Sequence, residues 1–380
     1  MIYADNAATT RLSDAALEAM LPYLREEYGN ASTLYKLGRT AHRAIEDARG
    51  IFARGINAMP AEIYFTSGGS ESDNWAIKGT AHRLAASGKR HIITDNIEHH
   101  AVLNSAKALE DEGFDITIIK ADADSVVRPK DIEAAIRPDT ALVSVMFANN
   151  ETGAIQPIAE VGRICREAGV LFHCDAVQAA GILPIDVKAM NIDMLSMSAH
   201  KFHGPKGVGV LYARRGCAPK IFVDGGEQER GHRGGTENTA GIVGASAAFA
   251  EAVAEREEKT ARLAKMRDKI QTELLKITGS QVNGGNAPRL PGTLNMSFSG
   301  VDGQSLIFAL DLKGVAVSGG SACASGSMNP SHVLLALGLD YSLAHGSLRI
   351  SLGKYNSEDE IKQIVQAVTE AVDEIRIKTN

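Results

Sequence analysis

The sequence predicts an α/β protein with a large, mainly parallel sheet and a smaller α+β domain, and three observations predict it. The chain has 380 residues, more than one compact core ordinarily holds. Between about residues 60 and 215, short apolar runs alternate with helical patterns, as parallel strands joined by crossover helices do. Polar residues cluster directly after those runs, where open parallel sheets place their ligands.

The runs read as strands are Glu62–Thr66, His91–Thr94, Ala141–Phe147, Val170–Cys174, Met194–Ser196 and Gly209–Tyr212, each of a length suited to a buried strand. Behind them follow Ser67-Gly68-Gly69-Ser70, Glu98-His99-His100, Asn149-Asn150-Glu151, Asp175 with Gln178, and Ser198-Ala199-His200-Lys201. From Ala245 to about Ile277 the chain is rich in Glu, Lys, Arg and Ala. This stretch reads as one long helix bridging to a C-terminal α+β domain. Ser357 to Lys378 opens on Ser-Glu-Asp-Glu and repeats apolar residues at helical spacing, a capped amphipathic helix.

Hydrophobic residues make up 44% and charged residues 23%, the balance of a folded, soluble chain. A net charge of -6 gives no electrostatic reason to expect nucleic acid as the main partner. The opening Met-Ile-Tyr-Ala-Asp-Asn lacks a basic segment followed by an apolar run, and no stretch is long and apolar enough for a membrane span, so the expected location is cytoplasmic. Cys165, Cys174, Cys217 and Cys323 are spread too widely for a paired metal motif or a disulfide framework, which fits a reducing compartment.

Several residues invite chemistry, each with a plainer alternative. Lys201, ending a strand-to-loop segment, can form a Schiff base with a carbonyl cofactor; a solvated surface lysine is the other reading. Asp175 ends an apolar strand, where a bare carboxylate is costly and a protonated pyridine nitrogen would compensate it; a helix cap or ion pair would serve equally. Gln178, one turn later, can reach the phenolic oxygen of the same cofactor. Thr66 to Ser72 joins a strand to a helix with small residues suited to a phosphate, or forms a Gly-rich turn with a Ser cap. Ser198 and His200 can add donors to it. His99 can stack on an aromatic ring and move protons. The adjacent pair His99 and His100 lacks the spacing of two metal ligands on one helix face. Arg349 can bind a carboxylate with its planar fork or form an ion pair. Cys323 stands in a run of small and polar residues, Ser318 to Ser327, unsuited to a core around a buried thiol.

The order of these motifs resembles the cysteine desulfurases of the NifS and IscS type, in the class V aminotransferase branch of fold type I pyridoxal-phosphate enzymes. The resemblance spans nearly the whole chain. It includes Tyr3 to Thr10, the phosphate turn, Glu98-His99, Asn149 to Gly153, Asp175-Ala176-Val177-Gln178, Ser198 to Lys201, and Arg233-Gly234-Gly235-Thr236-Glu237-Asn238. It implies pyridoxal 5'-phosphate as cofactor, with Lys201 its Schiff-base lysine, Asp175 on the pyridine nitrogen, Gln178 and Asn150 near the phenolic oxygen, and His99 on the ring. Gly69, Ser70, Ser198 and His200 would hold the phosphate, with Thr236 reaching across from the second subunit of a homodimer. Asn30 and Arg349, with Asn150 beside them, would grip L-cysteine. A large cofactor domain over 14–255 and a small domain of 1–13 plus 256–380 are expected.

The implied reaction converts L-cysteine to L-alanine and leaves sulfur as a persulfide on Cys323, with Lys201 as base and His99 relaying protons. A sulfur-acceptor protein, such as an iron-sulfur scaffold or a thiolation protein, would then take it. The Cys323 loop resembles the long-loop group of the family, but Asn329 stands where Glu is usual and Leu335 where Arg is usual, so no particular acceptor is implied. No metal site is expected beyond Cys323 as one ligand of an iron-sulfur cluster shared with another protein. The rival readings are a selenocysteine lyase, another class V aminotransferase-type enzyme, or an inactive scaffold homologue.

Overall fold

In the computed structural model, which describes residues 1–319 and 330–379, the strands follow in chain order as β1 (Ile2–Tyr3), β2 (Ile63–Thr66), β3 (His91–Asp95), β4 (Asp115–Ile119), β5 (Thr140–Ser144), β6 (Leu171–Asp175), β7 (Met194–Ser198), β8 (Gly209–Ala213), β9 (Ser280–Val282), β10 (Thr293–Phe298), β11 (Val315–Ala316) and β12 (Ser347–Ser351). Seven of them form one sheet in the order β2-β8-β7-β6-β5-β3-β4. Within it β8 alone runs antiparallel to its neighbours. The non-sequential order is that of crossover connections, which bring the carboxyl ends of the parallel strands to one edge.

The six anticipated strands are present with ends shifted by a few residues, and β4 is an addition. As an edge strand, β4 leaves Ile118 exposed and so lacks the fully buried run of the others. Side chains alternate across the sheet as the pleat requires. Ile63, Phe65, Val143, Val210 and Tyr212 enter one core, whereas Tyr64, Leu142 and Leu211 enter the core on the opposite face. The first of these is closed by an aromatic cluster in which Phe52 stacks on Phe249 at 4.8 Å and Phe202 meets both edge-on. Phe52 lies on the helix Lys36–Gly55 and Phe249 on Thr239–Ala254.

The long helix expected from Ala245 to about Ile277 is two helices, Thr239–Ala254 and Arg256–Leu274, meeting at Glu255. The reason is that they serve different cores. Ala245, Ala248, Phe249 and Ala252 pack against the large sheet, but Leu263, Met266, Ile270 and Leu274 belong to a separate cluster with β10, β12 and the helix Glu360–Thr379. That C-terminal helix starts at Glu360, whose carboxylate accepts the Ser357 amide at 3.1 Å.

The N-terminal strand β1 pairs with β11, and Ile2 and Ala4 are buried in the separate cluster. The chain then crosses to the large sheet, so that residues 5–10 lie between the two sets of elements. Thr10 shows this, its amide donating to the His200 carbonyl at 2.9 Å.

Candidate active site

A cavity of about 340 Å³ opens at the carboxyl edge of the large sheet. Its walls are supplied by the turns after β2, β3, β5, β6 and β7, by residues 7–8, and by Arg349 of β12. The open α/β topology accounts for this convergence, since every parallel strand delivers its following turn to the same edge.

Lys201 ends a single 3-10 turn after β7. Its ammonium donates to the carbonyls of Ala7 and Ala8 at 2.5 and 2.8 Å, and its charge faces Asp175 and His99. Asp175 closes β6, and its Oδ1 accepts the Val177 amide at 2.9 Å. Burial raises its pKa to about 6, opposed by that amide and by Lys201. Gln178 lines the same wall and donates to the Ala7 carbonyl at 3.0 Å.

Gly68 caps the short helix Gly69–Asn74, whose first amides have no acceptor within the helix. A Cβ on Gly69 would stand 2.7 Å from Val177 Cγ2, and Val177 is stiff about χ1. Only glycine therefore lets the turn approach Asp175's neighbour this closely. Ser70, Ser198 and His200 line the cavity beside it, and His200 Nδ1 lies 3.1 Å from Thr9 Oγ1.

His99 caps the helix His100–Asp111, its Nδ1 accepting the Ala101 amide at 3.1 Å. That bond leaves the neutral ring's proton on Nε2. Burial, then the charges of Lys201, His100 and His332, lower its pKa to about 4, so the ring is neutral at pH 7. Asn149 orders the next turn through its Oδ1, which accepts the amides of Glu151 and Thr152 at 2.9 Å. This presents Asn150 to the cavity, where its carbonyl accepts from Arg349 Nη1 at 2.8 Å.

Ten of the anticipated residues thus meet in one cavity: Gly69, Ser70, His99, Asn150, Asp175, Gln178, Ser198, His200, Lys201 and Arg349. Asn30 and Thr236 are exposed and do not line it; Cys323 lies outside the described residues. The cavity also contains residues to which sequence reasoning gave no role. Asp73 is buried 3.6 Å from His173 Nε2, its pKa raised well above the usual range by burial and by Asp175. The His332 ring lies tilted against that of His100, centroids 4.6 Å apart, and shares a hydrogen bond with the Glu98 carbonyl. Glu151 accepts from Ser331. The only signal for Asp73 was its place directly after the phosphate motif Thr66 to Ser72, on the helix Gly69–Asn74. That for His332 and Ser331 was their place just beyond the Cys323 run.

The energetics of Asp175 yield a prediction. Its folded pKa of about 6 exceeds its ordinary 3.8, so the folded state binds the proton more tightly than the unfolded state. Stability from this group is present below pH 3.8 and is lost as the pH rises through 6. Asp175→Asn keeps the acceptor for the Val177 amide without the charge. In cofactor-free protein it is expected to be more stable than wild type at pH 8, by on the order of 1–3 kcal/mol, and equal to it near pH 4. Thermal melts at the two pH values measure this; a variant less stable at pH 8 would contradict it.

Residues 2–364 match the family model for aminotransferase class-V. A cysteine desulfurase IscS of Methanosarcina thermophila is 49% identical over 375 residues, covering 99% of this chain and 93% of the relative. Among solved structures, a NifS-like protein superposes with a TM-score of 0.92 at 40% identity, over 98% of this chain and 99% of that one. SspA in complex with cysteine does so with a TM-score of 0.83 at 38% identity, over 94% and 100%. The chain belongs to the aminotransferase class-V family and, within it, to the pyridoxal-phosphate-dependent cysteine desulfurases.

Proposed function

We propose that this chain removes sulfur from L-cysteine, releasing L-alanine, with Cys323 as the residue that receives the sulfur. The observation that carries the reading is the meeting of Lys201, Asp175, His99 and the Gly69 turn with Arg349 in one cavity. The residues fit pyridoxal phosphate: an amine at one wall, a buried carboxylate at another, and a turn that only glycine can form against Val177. When bound, that cofactor supplies an electron sink for charge developing at the substrate Cα.

The protein groups then have distinct work. Lys201 would hold the cofactor and would act as base for the substrate Cα proton. Asp175 would keep a proton on the pyridine nitrogen, His99 would pack on the ring, and Gln178 and Asn150 would serve the phenolic oxygen. Gly69, Ser70, Ser198 and His200 hold the phosphate, with Thr236 contributed by a second copy in a homodimer. Arg349 and Asn30 hold the substrate carboxylate. The Cys323 thiolate attacks the substrate sulfur; a sulfur–sulfur bond forms, the Cβ–S bond breaks, and its electron pair passes to the carbon that becomes alanine's methyl group. His99, neutral at pH 7 with its proton on Nε2, presents that proton to the cavity and relays protons there.

In this reading the chain divides into a cofactor domain, 14–255, and a small domain, 1–13 plus 256–380, with the substrate between them. The persulfide passes in the cytoplasm to an acceptor such as an iron-sulfur scaffold or a thiolation protein. Among the described residues, no helix is long and apolar enough to cross a membrane.

A single-turnover assay of the cofactor-loaded protein with L-cysteine tests the proposal. Alanine and one added sulfur per active site, mapped by mass spectrometry to the peptide containing Cys323, are expected. Neither product forming would defeat the reading.

A further inference from the structure

Arg349 is one of the largest side chains to be almost wholly buried, at 1% exposure in the middle of β12. A guanidinium carries five donors in a rigid plane, and here they are unevenly used. Nη1 donates to the Asn150 carbonyl and Nη2 to Asp5 Oδ1, each at 2.8 Å. Nε is buried with no hydrogen-bond partner among the described residues. Such a group needs a counter-charge, since leaving one member of a buried ion pair alone is strongly unfavourable.

Asp5 supplies it and is itself held from several sides. Its Oδ2 accepts from Ser318 Oγ at 3.0 Å. Ser318 in turn pairs by backbone with Arg349, whose amide donates to the Ser318 carbonyl at 2.8 Å. The Asp5 backbone bridges to Ser351, two residues along β12 from Arg349. The three side chains therefore form a closed arrangement whose geometry the backbone sets. The other charged groups facing Arg349 are Glu151, whose carboxyl is taken up by Ser331, and the weakly acidic Tyr3.

We propose that Asp5 is a positioning residue that neutralises Arg349 between turnovers and so limits how tightly an amino-acid carboxylate is held. The inference rests on the reading that Arg349 receives the substrate carboxylate. An entering carboxylate meets a guanidinium already shared with Asp5, so the site gains one uncompensated negative charge. Product alanine carries the same carboxylate as cysteine, and Asp5 therefore favours its departure. Removing the charge while keeping the shape trades easy release for tighter ground-state binding, which does not itself speed chemistry.

The test is calorimetric titration of cofactor-loaded protein with L-alanine, alongside steady-state kinetics on L-cysteine and thermal melts. Asp5→Asn is expected to lower the Kd for alanine and the KM for cysteine roughly three- to tenfold, with kcat falling as product release slows. Ser318→Ala, which leaves Asp5 charged but takes away its second donor, throws that carboxylate more fully onto Arg349 and is expected to raise the alanine Kd about twofold. Opposite signs in the two variants are what a mere packing role would not produce. Unchanged or weaker alanine binding in a well-folded Asp5→Asn protein, or tighter binding in Ser318→Ala, would overturn the proposal. Arg349→Gln separates the underlying reading: if it fails to weaken alanine binding, Arg349 does not hold the carboxylate, and the fault lies there rather than with Asp5.

Discussion

Lys201→Ala is expected to form alanine from L-cysteine at no more than about 10⁻⁴ of the wild-type rate, the upper end of what a positioned acid-base group contributes. In the proposed reaction the side chain is asked for two things, covalent attachment of the cofactor and movement of the Cα proton, and among the described residues no other lysine lines the cavity. Its amine is fixed by the carbonyls of Ala7 and Ala8, which the N-terminal segment brings over from β1. Borohydride reduction of the cofactor-loaded wild type should fix the cofactor to the peptide containing Lys201, as mass spectrometry would show. The Ala variant should retain no cofactor after the same treatment and denaturation. Alanine formation at more than a hundredth of the wild-type rate would refute the assignment.

Cys323→Ala is expected to abolish the persulfide, with no other cysteine taking its place. The argument comes from the thiols the structure does describe, because only a thiolate attacks sulfur at a useful rate. Cys165, Cys174 and Cys217 are all buried. Burial, assisted by the Asp193 charge, pushes the Cys165 thiol up to about 12. Cys174 is raised well above its ordinary range by burial and by Asp175, Glu98 and Asp73, and Cys217 is raised by burial and by Asp193. None of the three is a thiolate at neutral pH. Mass mapping after a single turnover should therefore find sulfur in the Cys323 peptide of wild type and nowhere in the variant. A persulfide on one of the buried three would refute this.

A group of buried acids, of which Asp73 and Asp175 line the cavity, gives these roles a common physical setting. Asp73, Asp95, Glu98 and Asp175 are all buried, and burial raises the pKa of each. Neither carboxyl oxygen of Glu98 makes a well-formed hydrogen bond within the described residues. An active site that keeps such groups together forgoes stability for chemistry, which is why Asp175→Asn is expected to strengthen the cofactor-free fold while disabling the enzyme.

The strands that deliver the site were legible because fully buried parallel strands are continuous apolar runs, as in Thr140–Ser144 and Met194–Ser198. The members of the cavity were legible where a residue type is unusual for its place: an aspartate closing an apolar strand, a glycine pair before a helix, a lysine in a turn after a strand. Edge strand β4 escaped notice because its alternation is mixed with exposure, and the break at Glu255 because the two helices share one continuous helical composition. The sequence by itself determined six of the seven strands of the large sheet, the order of the motifs and the residue types at the strand ends, since those follow from local periodicity and composition. Only the tertiary structure decided that Asp5, 344 residues from Arg349, is its counter-ion, that Ala7 and Ala8 hold Lys201, and that Asp73 lies buried close enough to Asp175 to raise its own pKa. Those partnerships depend on crossovers and on the return of the N-terminus between two cores, and no local pattern encodes a distance across them.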